Sequence, residues 1–285
     1  MTTKHVAIVS DTPSVALAEV SNVSAAIQKQ VTRDFGPLWD VTATVDAFAS
    51  LESVPVDYWP VIIRDDIKEP GAAGYHTDQN GQPFALVQAD SGWGLTASHE
   101  VLEMLADPFG NRTIAGSPPP QATGKAKKLA RVVYLVEVCD PPEDESFAYR
   151  SNGVLVSDFI TPHYYDPTSA PSVRYSFGGN VKGPHLVLKN GYVSFGDPLT
   201  NHWYQVLVQG GKAVTKSLGI MNAAGKSIRE IIDYRSRKAR KGYRTGEVAS
   251  SKLLAAAAGR NDIMDASAGR AALLREHIKT LMNDN

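Results

Sequence analysis

From Ser98 to Pro108 the chain reads Ser-His-Glu-Val-Leu-Glu-Met-Leu-Ala-Asp-Pro, and this run limits the possible folds more than any other. Val101, Leu102, Met104 and Leu105 recur at helical spacing, so a largely buried helix is expected from about Leu95 to Ala106. Thr96 or Ser98 is a candidate cap at its start, and Asp107-Pro108 opposes continuation at its end. Residues four apart on a helix lie nearly above one another, which puts His99 and Glu103 on one face where both can bind the same ion. Glu100 is turned from His99 by about 100°. A carboxylate so placed can reach a water on the ion without being a ligand. Charges rarely lie in a buried helix unless paired or metal-bound. The spacing follows the logic of the His-Glu-x-x-His zinc helix, with Glu103 in the place of the second histidine.

A site with three protein ligands needs a donor from elsewhere and keeps one position for water or substrate. Glu137 and Asp140 are the candidates. In an extended strand Glu137 shares a face with Leu135 and Cys139 and points into the core, where a hydrogen-bonded carboxylate is the competing account. Asp140 sits where that strand turns and can instead cap a loop. Asp107, eight residues beyond His99, either orients a ligand or simply ends the helix. Asp158, in Val156-Ser-Asp-Phe159, and His163, in Thr161-Pro-His-Tyr-Tyr165, form a second polar and aromatic cluster. Both are assigned to the surroundings of the site, with a packed surface histidine as the plainer account of His163. His76 reads as a hairpin residue rather than a ligand.

Around this helix the pattern is α+β. Strands are expected at Val6–Val9, Val41–Val45, Trp59–Ile63 and Phe84–Val87, with a helix from about Ala16 to Phe35 that Gly36-Pro37 stops. Asn80-Gly81 signals a hairpin turn. The stretch Gly116–Lys128, rich in Pro and Lys, reads as a mobile loop, followed by a strand at Arg131–Val138. Short strands and hairpins continue to about Val214, with helices expected over Ser217–Tyr234 and Ser250–Met282 around the basic run Arg235–Lys241. A chain of 285 residues, 43% apolar, can therefore hold one α+β domain over residues 1–215 and a helical extension over 216–285. Lys and Arg total 29 against 30 Asp and Glu, so no global field favours nucleic acid or a membrane surface, and the basic run reads as a solvated helix face. With one cysteine there is no intrachain disulfide framework. No apolar stretch has the length of a bilayer span and no leader pattern opens the chain, so a cytoplasmic or virion-associated protein is expected.

These pieces together resemble the zincin metallopeptidases, in which an early mixed sheet and a helix precede an edge strand lying over the active-site helix and holding an extended substrate. The chain is also similar to a group of bacterial and phage-associated proteins sharing Ser-His-Glu-x-x-Glu-Met-Leu-x-Asp-Pro, Glu-Val-Cys-Asp and Val-Ser-Asp-Phe. These stand here at Ser98–Pro108, Glu137–Asp140 and Val156–Phe159. The resemblance covers roughly the first 165 residues. It implies a zincin-like mixed sheet, a divalent metal at His99 with Glu100 as general base, and a peptide or protein substrate. Phe84, Ala85, Leu86 and Val87 are then expected to pair with the substrate backbone. Zinc is the first expectation for the ion. The carboxylate of Glu103 makes the site more anionic than two histidines would, which favours harder ions such as Ca²⁺ or Mn²⁺. The rival expectation is a catalytically inactive scaffold that assembles through its C-terminal part, as in a phage particle.

Overall fold

Near-continuous apolar runs make β1 (Lys4–Ser10), β3 (Tyr58–Arg64) and β5 (Gln82–Gln88) the buried centre of a five-stranded sheet, with β2 (Ala43–Phe48) and β4 (Gly74–Gln79) at its edges. The computed structural model describes residues 2–69, 71–222 and 225–238. The strand order is β2-β1-β3-β5-β4, parallel throughout except for β4, which runs antiparallel to β5. Asn80 and Gly81 close that hairpin with φ of 53° and 78°, as a two-residue turn requires. Ile8 stands opposite Val61, Val61 opposite Ala85, and Ala85 opposite His76, so these four side chains lie on one face of the sheet. β5 is thus an interior strand, hydrogen-bonded on both sides, and Phe84–Val87 have no free edge to offer a peptide. Among the described residues that edge belongs to β4.

The first helix does not stop at Gly36-Pro37. α1 (Leu17–Lys29) passes into a π-helical turn over Gln30–Phe35 and then into α2 (Gly36–Trp39), which ends at Asp40 in the left-handed conformation. Pro37 falls in the first turn of α2, where its missing N–H costs nothing, and the wider π turn absorbs the change of register. Gly36 is fixed by close approach, since a Cβ there would lie 2.5 Å from the Val41 carbonyl oxygen and 2.8 Å from that of Val31. α3 (Trp93–Ala106) starts at Trp93 rather than Leu95, because Asp90 turns the chain by accepting from the Gly92 N–H at 2.7 Å. Thr96 and Ser98 lie inside the helix and cap nothing.

A second sheet is wholly antiparallel, in the order β12-β11-β10-β7-β6. It comprises β6 (Thr113–Gly116), β7 (Val132–Leu135), β10 (Tyr192–Gly196), β11 (His202–Gln209) and β12 (Lys212–Ile220), while β8 (Tyr149–Ser151) and β9 (Val154–Val156) form a separate hairpin. Two expectations are corrected here. Residues 217–220 are strand, not helix, because they pair with β11, so a boundary at 215/216 would cut β12 in two. The helix begins only at α4 (Ile228–Lys238). Residues 117–131 are anchored: the Gln121 side chain bonds both the N–H and the carbonyl of Val187, and Ala122 and Ala126 are buried. The expected helix at Ser250–Met282 and the end of the basic run, Ala239–Lys241, lie outside the described residues.

One large apolar cluster joins the first sheet, α1, α3 and the inner face of the second sheet, and a smaller one, including Leu135, Trp203, Leu218 and Ile232, fixes α4 against the second sheet. The result is a mixed α+β chain with several sheets and few helices. No described helix is long and apolar enough to cross a membrane.

Within the larger cluster His185 stacks on Tyr134 with ring centroids 4.9 Å apart and planes 3° from parallel. Burial pushes its imidazole from the ordinary 6.5 down to about 4. Between those two values the unfolded chain binds a proton that the folded chain refuses, so stability rises with pH across the window and is lost as pH falls. His185 has a φ of 59°, which asparagine tolerates. The variant H185N should therefore fold and lose less of its stability than the wild type between pH 6.5 and pH 4, read as urea midpoints. Equal losses in the two chains would show that His185 titrates normally.

Candidate metal centre

Along α3 the side chains of His99, Glu103 and Glu100 fan out in that angular order, because four residues advance a helix by about 40° beyond a full turn and one residue by about 100°. Glu103, fully buried, is therefore the middle member and can face two ways at once. Its Oε1 lies 3.3 Å from His99 Nε2 and accepts the Cys139 N–H at 3.1 Å, while its Oε2 accepts from Arg229 at 3.1 Å.

The first lobe is completed from the chain after β7. Asp140 Oδ1 lies 3.3 Å from His99 Nε2, and one donor atom from each of His99, Glu103 and Asp140 falls within 4.8 Å of the others. His99 is the member that meets solvent, its side chain 14% exposed. Asp140 arrives there because β7 ends at Leu135: the Glu137 N–H folds back on the Leu135 carbonyl at 3.2 Å, and residues 136–140 leave the sheet. Glu137 is thus buried by a tight turn, not by strand alternation, which corrects the extended reading of that segment.

The second lobe contains His76, whose local sequence marks only a hairpin. Its register opposite Ala85 points it under α3, where Nε2 lies 3.2 Å from the Asp107 carbonyl. A proton on Nε2 makes that contact a hydrogen bond and leaves the Nδ1 lone pair facing Arg229 Nη1 at 2.6 Å. Glu100 Oε2 lies 3.4 Å from the same Nδ1. Gly74, two residues before His76 on the same face, makes room for this, since a Cβ there would meet Glu100 Oε1 at 2.9 Å and Thr96 Cγ2 at 2.6 Å. His76, Glu103 and Glu137 form a second group of converging donors. Arg229, which no sequence motif marks, reaches into it from the first turn of α4 and bonds Glu137 Oε2 at 2.5 Å.

The electrostatics are lopsided. Glu100, Glu103, Glu137 and Asp140 are all buried together. Burial, reinforced by Glu103, holds the carboxyls of Glu137 and Asp140 well above the ordinary range, with Arg229 opposing at Glu137 and His99 at Asp140. Burial also opposes ionisation of Glu103, but His99 and then Arg229 outweigh it and hold that carboxyl well below its ordinary value. His99 is pushed well above its ordinary value by Glu103 and Asp140 despite a desolvation that acts the other way. Glu100 Oε2, Glu137 Oε1 and Asp140 Oδ1 are buried and make no hydrogen bond. Such atoms are uncommon in folded proteins and ask for a partner.

The remaining candidates divide. Asp107 serves both of its expected ends: its carboxylate accepts the N–H groups of Asn111 and Arg112 and closes α3, while its carbonyl orients His76. Asp158 clamps a loop, accepting from Phe159 and Gly178 N–H groups at 2.8 Å each, and joins neither lobe. His163 is exposed and pairs with Asp166 at 2.8 Å, so it is a surface histidine. Its neighbour Tyr165 lies closer to the centre, feeling Glu137 and Glu103. Behind the lobes, Ser98 Oγ donates to Gln30 Oε1 and accepts the Ser157 N–H, each at 2.9 Å, and Gln30 donates to the Ser157 carbonyl. The serines of two separate sequence pieces thus meet, and they fix α3 to the π turn and to the chain after β9.

Comparison of the chain with family models, with curated proteins and with solved structures finds no match.

The Ser98 hub is buried, so removing it leaves Gln30 Oε1 and the Ser157 N–H without partners. S98A should lose about 1–3 kcal/mol in urea unfolding. A loss below about 0.5 kcal/mol, ordinary for a surface change, would mean that the hub is not what holds α3 in place.

Proposed function

We propose that this protein is a metal-dependent hydrolase of the zincin-like metallopeptidase kind, with His99, Glu103 and Asp140 as the protein ligands of one divalent ion. The donor spacing carries this reading. Tetrahedral zinc with bonds of about 2.0–2.2 Å keeps its ligand atoms about 3.3–3.6 Å apart. His99 Nε2 stands 3.3 Å from both Glu103 Oε1 and Asp140 Oδ1. The buried Asp140 Oδ1, which makes no hydrogen bond, and an excess of negative charge also fit a cation there. One imidazole and two carboxylates suit zinc, with Mn²⁺ the next choice, since Ca²⁺ prefers six or more oxygen ligands.

When bound, such an ion supplies Lewis acidity to a carbonyl and to water beside it. The chain's own residues do the rest. Glu100, one step along α3 and with Oε2 3.4 Å from His76 Nδ1, takes the proton of the attacking water and returns it to the leaving amine. β4, not β5, is the outer strand of the sheet among the described residues, and an extended peptide adds as a strand beside it and α3. An edge strand over a helix that bears the site supports the zincin-like reading of the fold. Glu137 contributes from the second lobe and is not a ligand of this ion.

A second reading has its own observation. Arg229 already neutralises part of the cluster, which suits a scaffold that holds the ion for stability alone. Chelation and one variant separate the two. The untreated protein should carry about one equivalent of zinc or manganese, and chelation should lower its Tm by roughly 5–15 °C. E100Q should keep the metal and lose about 10²-fold or more of the turnover on a peptide library. Absence of stoichiometric metal would overturn both readings. Full turnover in E100Q would overturn Glu100 as the base, and a Tm loss with no turnover in the wild type would favour the scaffold.

A further inference from the structure

Arg229 sits in the second lobe in a manner that hydrogen bonding serves poorly. A single atom, Nη1, faces Glu137 Oε2 at 2.5 Å, His76 Nδ1 at 2.6 Å and Glu103 Oε2 at 3.1 Å. That nitrogen carries two hydrogens, so it has fewer protons than acceptors. Arg229 makes no fork-like pair with either carboxylate through Nε, which is buried and makes no hydrogen bond. An arginine chosen for carboxylate recognition uses two parallel N–H donors. Here the guanidinium acts as a point charge at the focus of three converging donors. Beside that focus, Glu100 Oε2 and Glu137 Oε1 are buried and have no donor.

One imidazole nitrogen and two carboxylate oxygens meeting at a point are the ligand set of a transition-metal ion. We propose that His76, Glu103 and Glu137 form a second divalent-cation site, of the zinc or manganese type, and that the Arg229 side chain is its built-in competitor. This rests on the first site proposed above, because Glu103 then lends Oε1 to one ion and Oε2 to the other. Carboxylates commonly bridge paired metals in this way, at separations of about 3.5–4 Å. The competition is also mechanical. Arg229 belongs to the first turn of α4, tied to the segment after α3 by Ile228 N–H to Asn111 Oδ1 at 2.9 Å and Arg229 N–H to the Gly110 carbonyl at 3.0 Å. A second ion enters only as Arg229 leaves, and that loosens the start of α4.

The test is metal stoichiometry of the full chain after dialysis against excess Zn²⁺ or Mn²⁺, with folding checked by circular dichroism. Wild type should hold one ion, R229M two, and R229M/E137Q one again. R229M that is folded and holds one ion overturns the second site and leaves the first intact. Two ions in wild type with Arg229 in place overturn the competition, and none in wild type overturns the first site. Removing a buried cation can unfold a chain, so wild type also gives an independent readout by hydrogen exchange. At the dialysis concentration, where only the first site fills, the amides of residues 228–232 should stay protected, and at metal concentrations about a hundredfold higher, where the second ion displaces Arg229, they should exchange at least about tenfold faster. Unchanged exchange at saturating metal overturns the proposal even if R229M does not fold.

Discussion

The structure turns on one carboxylate. Glu103 is fully buried, and burying a lone carboxylate is too costly unless both oxygens are served. Oε1 is served by the Cys139 N–H and by His99, and Oε2 by Arg229. Those contacts tie α3 to the chain after β7 and to α4, which come from distant parts of the sequence. Replacing Glu103 by an uncharged residue would leave His99 and Arg229 without their shared counter-charge, so the same residue links fold stability to the chemistry of both lobes.

The rest of the architecture serves to place that residue. The sheet fixes the floor: the register from Ile8 through Val61 and Ala85 carries His76 under α3. The hub of Gln30, Ser98 and Ser157 fixes the back of the helix, and the turn after Leu135 brings Glu137 and Asp140 to its front. These supports add hydrogen bonds between buried groups to the apolar packing of α3, and buried polar groups accept few alternative arrangements. A site that must hold donor atoms within tenths of an ångström gains from such rigidity.

Much of this was legible in the sequence, for identifiable reasons. Helical periodicity is local, so α3 and the shared face of His99 and Glu103 could be read from eleven residues. Asn80-Gly81 announced its hairpin because few residues tolerate positive φ, and both residues take it. The two residues of the centre that the sequence does not point to, His76 and Arg229, are placed non-locally. His76 enters the site through strand register, which its own neighbours do not encode. Arg229 is 126 residues from Glu103, and its only local signal is a cation placed among Ile228, Ile231 and Ile232 on an otherwise apolar helix face. Glu137 was expected inside for the wrong cause, strand alternation, where a turn buries it. A substrate-pairing role for Phe84–Val87 follows only from the resemblance, and a hairpin pattern does not say which of its strands faces outward.

The proposed divalent ion lies between α3 and the chain after β7. Anomalous diffraction from crystals of the untreated protein, collected on both sides of the zinc and manganese absorption edges, tests it most directly. A peak about 2.0–2.2 Å from His99 Nε2, Glu103 Oε1 and Asp140 Oδ1 at once is expected. A clean map with no anomalous peak at those atoms, or a peak bound only by surface residues, would contradict it.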